Sequence, residues 1–107
     1  MILDELKTLF SEKEILYWRD KQKHEVDFVI ARRGHPPIAI EAKWKIDKKA
    51  HNHFSSFQKL YPFARRMVIA TDVDQPYFNR KSQTLETPLN QLTEAITLLD
   101  KLPKASG

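Results

Sequence analysis

Apolar residues recur at helical spacing at the start of the chain. Ile2, Leu3, Leu6, Leu9 and Phe10 predict a helix over residues 2–10. The pattern then changes. "EILYWRD" (14–20) is rich in aromatic and β-branched residues and reads as a strand. After the polar turn "DKQKH" (20–24), "HEVDFVIARR" (24–33) reads as a second strand. "RGHPP" (33–37) is the next turn, with Gly34 as its flexible point, and "IAIEAKW" (38–44) is a third strand. Three strands so closely spaced predict an antiparallel meander. Helical spacing returns in "DKKAHNHFSSFQKLYP" (47–62), with Asp47 as N-cap, Phe54, Phe57, Leu60 and Tyr61 as the apolar stripe, and Pro62 as the stop. "RRMVIATD" (65–72) is a strand again, and "VDQPYFNRKSQTLE" (73–86) reads as a loop. Thr87 is expected to cap a last helix with Pro88 in its first position, and Leu89, Leu92, Ile96, Leu99 and Leu102 give that helix one apolar face.

The predicted order is α-β-β-β-α-β-α. The strand–helix–strand passage implies a crossover between parallel strands. The expected architecture is a mixed central sheet flanked by helices, α/β in the broad sense and α+β in the stricter one. It forms a single domain over residues 1–102, with 103–107 ("PKASG") as a flexible tail.

Composition narrows the function classes. The 107 residues fit one small domain, with little apolar surface to spare for a buried charge. There are no cysteines, which excludes disulfides and thiolate metal sites and points to a reducing cytoplasm. No apolar run approaches the roughly 18 residues of a membrane span, and the N-terminus lacks the pattern of a signal peptide. Gly34 and Gly107 are the only glycines, so no glycine-rich phosphate loop exists. Lys and Arg total 18 against 14 acids, a net charge of +4. That excess is compatible with a polyanionic partner without establishing one, and the basic clusters, Arg65/Arg66 among them, read on charge alone as solvated surface.

The chemistry lies in the second and third strands. Strict alternation puts Glu25, Asp27, Val29 and Ala31 on one face and Val26, Phe28 and Ile30 on the other. In the third strand Ala39, Glu41 and Lys43 share a face. If the strands are neighbours, Asp27, Glu41 and Lys43 converge. Two carboxylates brought together repel unless a cation sits between them. Lys43 offsets that partly and a hard divalent cation does so better. Such an ion, with a lysine beside it, suits phosphodiester hydrolysis. The competing reading is a salt bridge between strands, with Lys43 reaching out of the strand end.

"EVDFVI … IAIEAKW", with thirteen residues between Asp27 and Glu41-Ala42-Lys43, resembles the core of the PD-(D/E)XK nuclease superfamily, the restriction-endonuclease-like fold. With "FSSFQKLYPFARRMVIA" added, the chain is similar to the C-terminal nuclease-like domain of prokaryotic AAA-type ATPases. The resemblance covers roughly residues 1–72 and is sharpest over 15–44. It implies a metal-dependent nuclease acting on DNA, part of or derived from such an ATPase, or a catalytically weak or inactive module of that fold that binds DNA or protein. Asp27 and Glu41 resemble the motif's metal ligands, the Ala42 carbonyl a further one, and Lys43 its lysine. Val26 stands where the motif usually has proline. The implied cofactor is Mg²⁺ or Mn²⁺. The implied partners are DNA and an ATPase module in the same or a partner chain, with a homodimer as a further option and no membrane. Many members add an acid from the first helix; Asp4 and Glu5 are the candidates, and Glu5 is preferred because it borders the apolar stripe. Gln58 resembles a glutamine found on the following helix, with an ordinary exposed helix residue as its alternative.

Other signals are weaker. His51 and His53 sit two apart on a helix and point about 200° from one another, a poor chelate. Asp72 and Asp74 read as a turn. Trp18 reads as sheet packing before nucleic-acid stacking. No serine or histidine pattern suggests a hydrolase triad.

Overall fold

The computed structural model describes residues 2–23, 25–43 and 50–102, with the side chains of 43 and 50–53 left aside. The meander forms as its pattern predicts. β1 (Ile15–Arg19), β2 (Glu25–Ile30) and β3 (Ile38–Lys43) pair antiparallel in sequence order. Gly34 lies in the β2–β3 turn at φ +81, a left-handed conformation that favours glycine. The chain continues through α2 (Ala50–Leu60) and returns as β4 (Arg65–Ala70), parallel to β3.

The sheet extends further than the pattern suggests. Residues read as a loop contain β5 (Tyr77–Asn79) and β6 (Thr84–Thr87). β6 pairs parallel to β4 and antiparallel to β5. The described residues therefore form a six-stranded mixed sheet in the order β1-β2-β3-β4-β6-β5, with three α-helices. Thr87 is no helix cap. It is the fully buried last residue of β6, and its hydroxyl donates to the Pro88 carbonyl at 2.9 Å. A 3₁₀ turn (Leu89–Gln91) intervenes before α3 (Leu92–Lys101). Asp47, the expected cap of α2, lies outside the described residues.

Helices cover both faces of the sheet. α1 (Ile2–Leu9) and α3 bury Ile2, Leu6, Leu92, Ile96 and Leu99 against Ile30, Ile38, Ile40, Met67, Ile69 and Leu85. On the other face α2 buries Phe54 and Phe57 against Val26, Val29 and Ala39. Leu60 and Tyr61, expected in the α2 stripe, are instead 63% and 45% exposed. Six residues beyond Phe54, Leu60 has rotated by about 240° around the helix axis, and Tyr61 follows the last helical residue.

A polar clamp joins the two ends of the α1/α3 layer. Arg32, just after β2, donates two hydrogen bonds to Asp100 of α3, at 3.0 and 2.7 Å, and its guanidinium lies 5.9 Å from the Phe10 ring centroid. The hydrogen bond from Arg32 holds the Asp100 carboxyl below its ordinary pKa, against the opposing effect of burial. That contribution is fully present above the pKa of an unfolded aspartate and is lost as pH falls through the depressed folded value. Asp100→Asn should therefore cost roughly 0.5–1 kcal/mol at neutral pH, a modest figure because the pair is partly open to water. Urea unfolding should give separate midpoints for the two proteins at neutral pH and coincident ones in acid. A separation that persists in acid would assign the loss to packing.

Candidate functional site

β3 carries its chemistry on the α2 side. Ile38 and Ile40 point into the α1/α3 core, and Ala39 into the α2 core. Glu41, two residues beyond Ala39, therefore lies under α2. The small Ala39 leaves room there for the Phe54 and Phe57 rings. In the parallel register Ala39 stands beside Arg66 and Glu41 beside Val68. Arg66 thus projects onto the same face, diagonally behind Glu41. Its Nη2 donates to Glu41 Oε2 at 3.0 Å, and its Cζ lies 5.2 Å from the Phe54 ring centroid. Glu41 is 8% exposed and Arg66 7%, so this is an interior ion pair. Arg66, read from sequence as solvated, is the buried partner of Glu41 that the pattern hid.

Asp27 reaches the same strand by a different route. β2 has one residue too many opposite β1: Leu16 pairs with Val29 and Trp18 with Val26, a β-bulge across Asp27 and Phe28. The bulge breaks strict alternation. Val26, expected opposite Val29, packs with it in the α2 core. Towards this end of the sheet the β2–β3 ladder runs to Phe28 and Ile40. Two residues on, the Ala42 N–H donates to Asp27 Oδ2 at 3.0 Å, so a side chain takes the bond that a neighbouring backbone would otherwise accept. Asp27 is exposed. The two halves of the D…E-x-K pattern therefore meet, through the Asp27 carboxylate and the backbone next to Glu41. Lys43 ends β3, with its backbone beside Ala70. Its side chain lies outside the described residues.

The remaining candidates are placed elsewhere. Glu5 is exposed on α1, whose buried face packs against Ile38 and Ile40, across the sheet from Glu41. An acid from this helix does not join the Glu41 side, because the stripe of α1 is committed to the opposite core. Gln58 is exposed on α2 and lines a cleft of about 460 Å³ with Ser55, Phe54, Arg65, Arg66 and Gln83. It thus shares a cleft with the cation that holds Glu41. Trp18 packs edge-on to Phe57, with ring centroids 5.4 Å apart, as sheet packing requires. Glu25 sits at the exposed strand end, 3.8 Å from Arg19. Asp72 and Asp74 lie in a turn, where the Asp74 carbonyl accepts from Gln91 at 2.8 Å. The side chains of His51 and His53, and Lys45, Lys48 and Lys49 entirely, lie outside the described residues. Among the described residues no three His, Cys, Asp or Glu side chains gather as a set of metal ligands.

The buried pair sets a sharp contrast between the two carboxylates. Glu41→Ala removes the buried carboxylate that faces the Arg66 guanidinium and should cost about 3–5 kcal/mol. Asp27→Asn keeps an acceptor for the Ala42 N–H and should cost less than about 1 kcal/mol. Replacing both Glu41 and Arg66 by methionine should recover most of the loss seen with Glu41→Ala, since two uncharged side chains of similar volume need no partner. Urea denaturation of the three variants measures this. Equal losses for Glu41→Ala and Asp27→Asn would contradict it.

No curated protein matches the sequence. A family model does, over residues 1–91, most of the chain. On that match the chain belongs to the family described as a domain of unknown function, DUF4143.

Proposed function

We propose that this domain is a metal-dependent nuclease-like module that hydrolyses DNA phosphodiester bonds, working with or derived from an AAA-type ATPase. The observation that carries the reading is the 3.0 Å contact between the Ala42 N–H and Asp27 Oδ2, which unites the two halves of the motif. The bulge at Asp27 supports it, since such bulges re-aim side chains and recur beside active sites. The donor types fit a hard dication. Asp27, Glu41 and the Ala42 carbonyl are oxygen ligands, and Mg²⁺ commonly takes one or two carboxylates and fills its shell with water and substrate phosphate. When bound, such an ion polarises a phosphoryl oxygen and lowers the pKa of a coordinated water.

The chain's own residues do the rest. Asp27, exposed and fixed by a backbone N–H, presents its carboxylate to the solvent side. Lys43, immediately past Ala42, supplies a cation for charge developing on the phosphate. The net charge of +4 is compatible with a polyanion. A second reading draws on the Glu41–Arg66 pair. An arginine already balances the buried carboxylate, which favours a module of nuclease fold that binds DNA or protein without cutting it. Fold alone does not decide between them.

Incubation of the protein with single- and double-stranded DNA and Mg²⁺ or Mn²⁺ tests the proposal. Cleavage that disappears in Asp27→Asn and in Lys43→Ala, both still folded, is the expected result. DNA retained without cleavage would transfer the assignment to the second reading. Neither binding nor cleavage would remove both as far as DNA is concerned.

A further inference from the structure

We infer that Arg66 is an internal competitor of the metal: a positioning residue that sets the site's divalent-cation affinity by occupying Glu41. This rests on the metal-site reading above. The geometry is specific. The Arg66 guanidinium lies 3.0 Å from Glu41 Oε2, on a side chain 7% exposed. It is held from above by Phe54 at 5.2 Å and fixed from below by the parallel β3–β4 register. A dication approaching Glu41 meets this positive charge at close range in a poorly hydrated interior, where screening is weak. Asp27 feels it less, because its carboxylate is exposed and bonded to the far side of β3. The two carboxylates are therefore unequal ligands. Asp27 is open to an ion from solvent, whereas Glu41 has one oxygen, Oε2, bonded to Arg66 Nη2, so an ion that draws on that oxygen must share or displace the guanidinium. Arg66 also lines the cleft that carries Gln58, so whatever enters that cleft bears on the same guanidinium.

The consequence is a weak resting affinity that neutralising Arg66 should raise. Arg66→Gln keeps a hydrogen-bond donor for Glu41 and removes the charge. Arg66→Lys keeps the charge. Calorimetric titration with Mn²⁺ should give Arg66→Gln an affinity higher on the order of tenfold than wild type, from the loss of one unit charge near the ion. Arg66→Lys should stay close to wild type. Mn²⁺ should also raise the melting temperature of Arg66→Gln more than that of wild type, because binding to the folded state alone stabilises it. In the wild-type protein, Mg²⁺ titration followed by NMR should shift the Arg66 Nε–H resonance as Glu41 changes partner. This measurement decides the matter should Arg66→Gln fail to fold. Binding of equal strength in wild type and Arg66→Gln, or an Arg66 resonance unmoved while the ion binds, would overturn the inference and leave the metal site standing. No Mn²⁺ binding by any of the proteins would remove the metal site itself.

Discussion

A carboxylate in the interior of a small domain requires a cation beside it, and Arg66 meets that requirement for Glu41. The pair lies across the β3–β4 boundary, where the antiparallel meander meets the parallel half of the sheet. It ties together three elements, since Arg66 also packs under Phe54 of α2. Its cost in desolvation is high and its net stabilisation small. Its effect on register is large. Slipping β4 by one residue would turn Arg66 into the apolar α1/α3 core, on the opposite face from Glu41. The wrong pairing separates the two charges across the sheet, whereas the right one brings them together.

The elements easiest to read in the sequence are those whose period is long and whose partners are local. α1, the three strands of the meander and the apolar face of α3 follow directly from spacing. The crossover follows from a strand, a helix and a strand in succession. β5 and β6 were hidden because they are only three and four residues long and mix buried with polar positions, as in Thr84-Leu85-Glu86-Thr87. What makes β6 a strand is the edge of β4, whose residues pair with positions eighteen further along (Arg66 with Thr84), and β5 is then added beside β6. Thr87-Pro88 has the chemistry of a helix start, yet Thr87 pairs beside Ile69. Tertiary pairing overrode a local preference.

The site was legible to the extent that it violated the apolar pattern. Asp27 and Glu41 stood out as acids within strands, and the structure links Asp27 to the residue after Glu41. Its electrostatic partner was not legible. Arg65 and Arg66 form a basic doublet at a strand start, which normally means solvent. The two have different fates: Arg65 donates to the Leu102 carbonyl at 3.0 Å, while Arg66 turns inward. Alternation in "RRMVIA" does place Arg66, Val68 and Ala70 on one face, but only the parallel register says that this face is Glu41's. The bulge at Asp27 escaped for a related reason. An extra residue leaves no mark in composition and shows only against its neighbour, here in the shift from Leu16–Val29 to Trp18–Val26.

These placements make the two acids different kinds of evidence about function. Glu41 is buried against Arg66 and is also a candidate ligand, so a loss of activity on its removal confounds folding with chemistry. Asp27 stands in water, at a bulge, with one backbone hydrogen bond to its carboxylate. Little in the core depends on its charge. An N–H acceptor at this position could be asparagine or serine as readily as aspartate, if structure were all that the position served. A negative charge there is in excess of what the ladder end requires. That excess, a solvent-open carboxylate bonded to the backbone next to a buried, arginine-paired one, is the physical content of the functional reading. Under the proposed function, it makes Asp27 a cleaner test of chemistry than the more deeply buried Glu41.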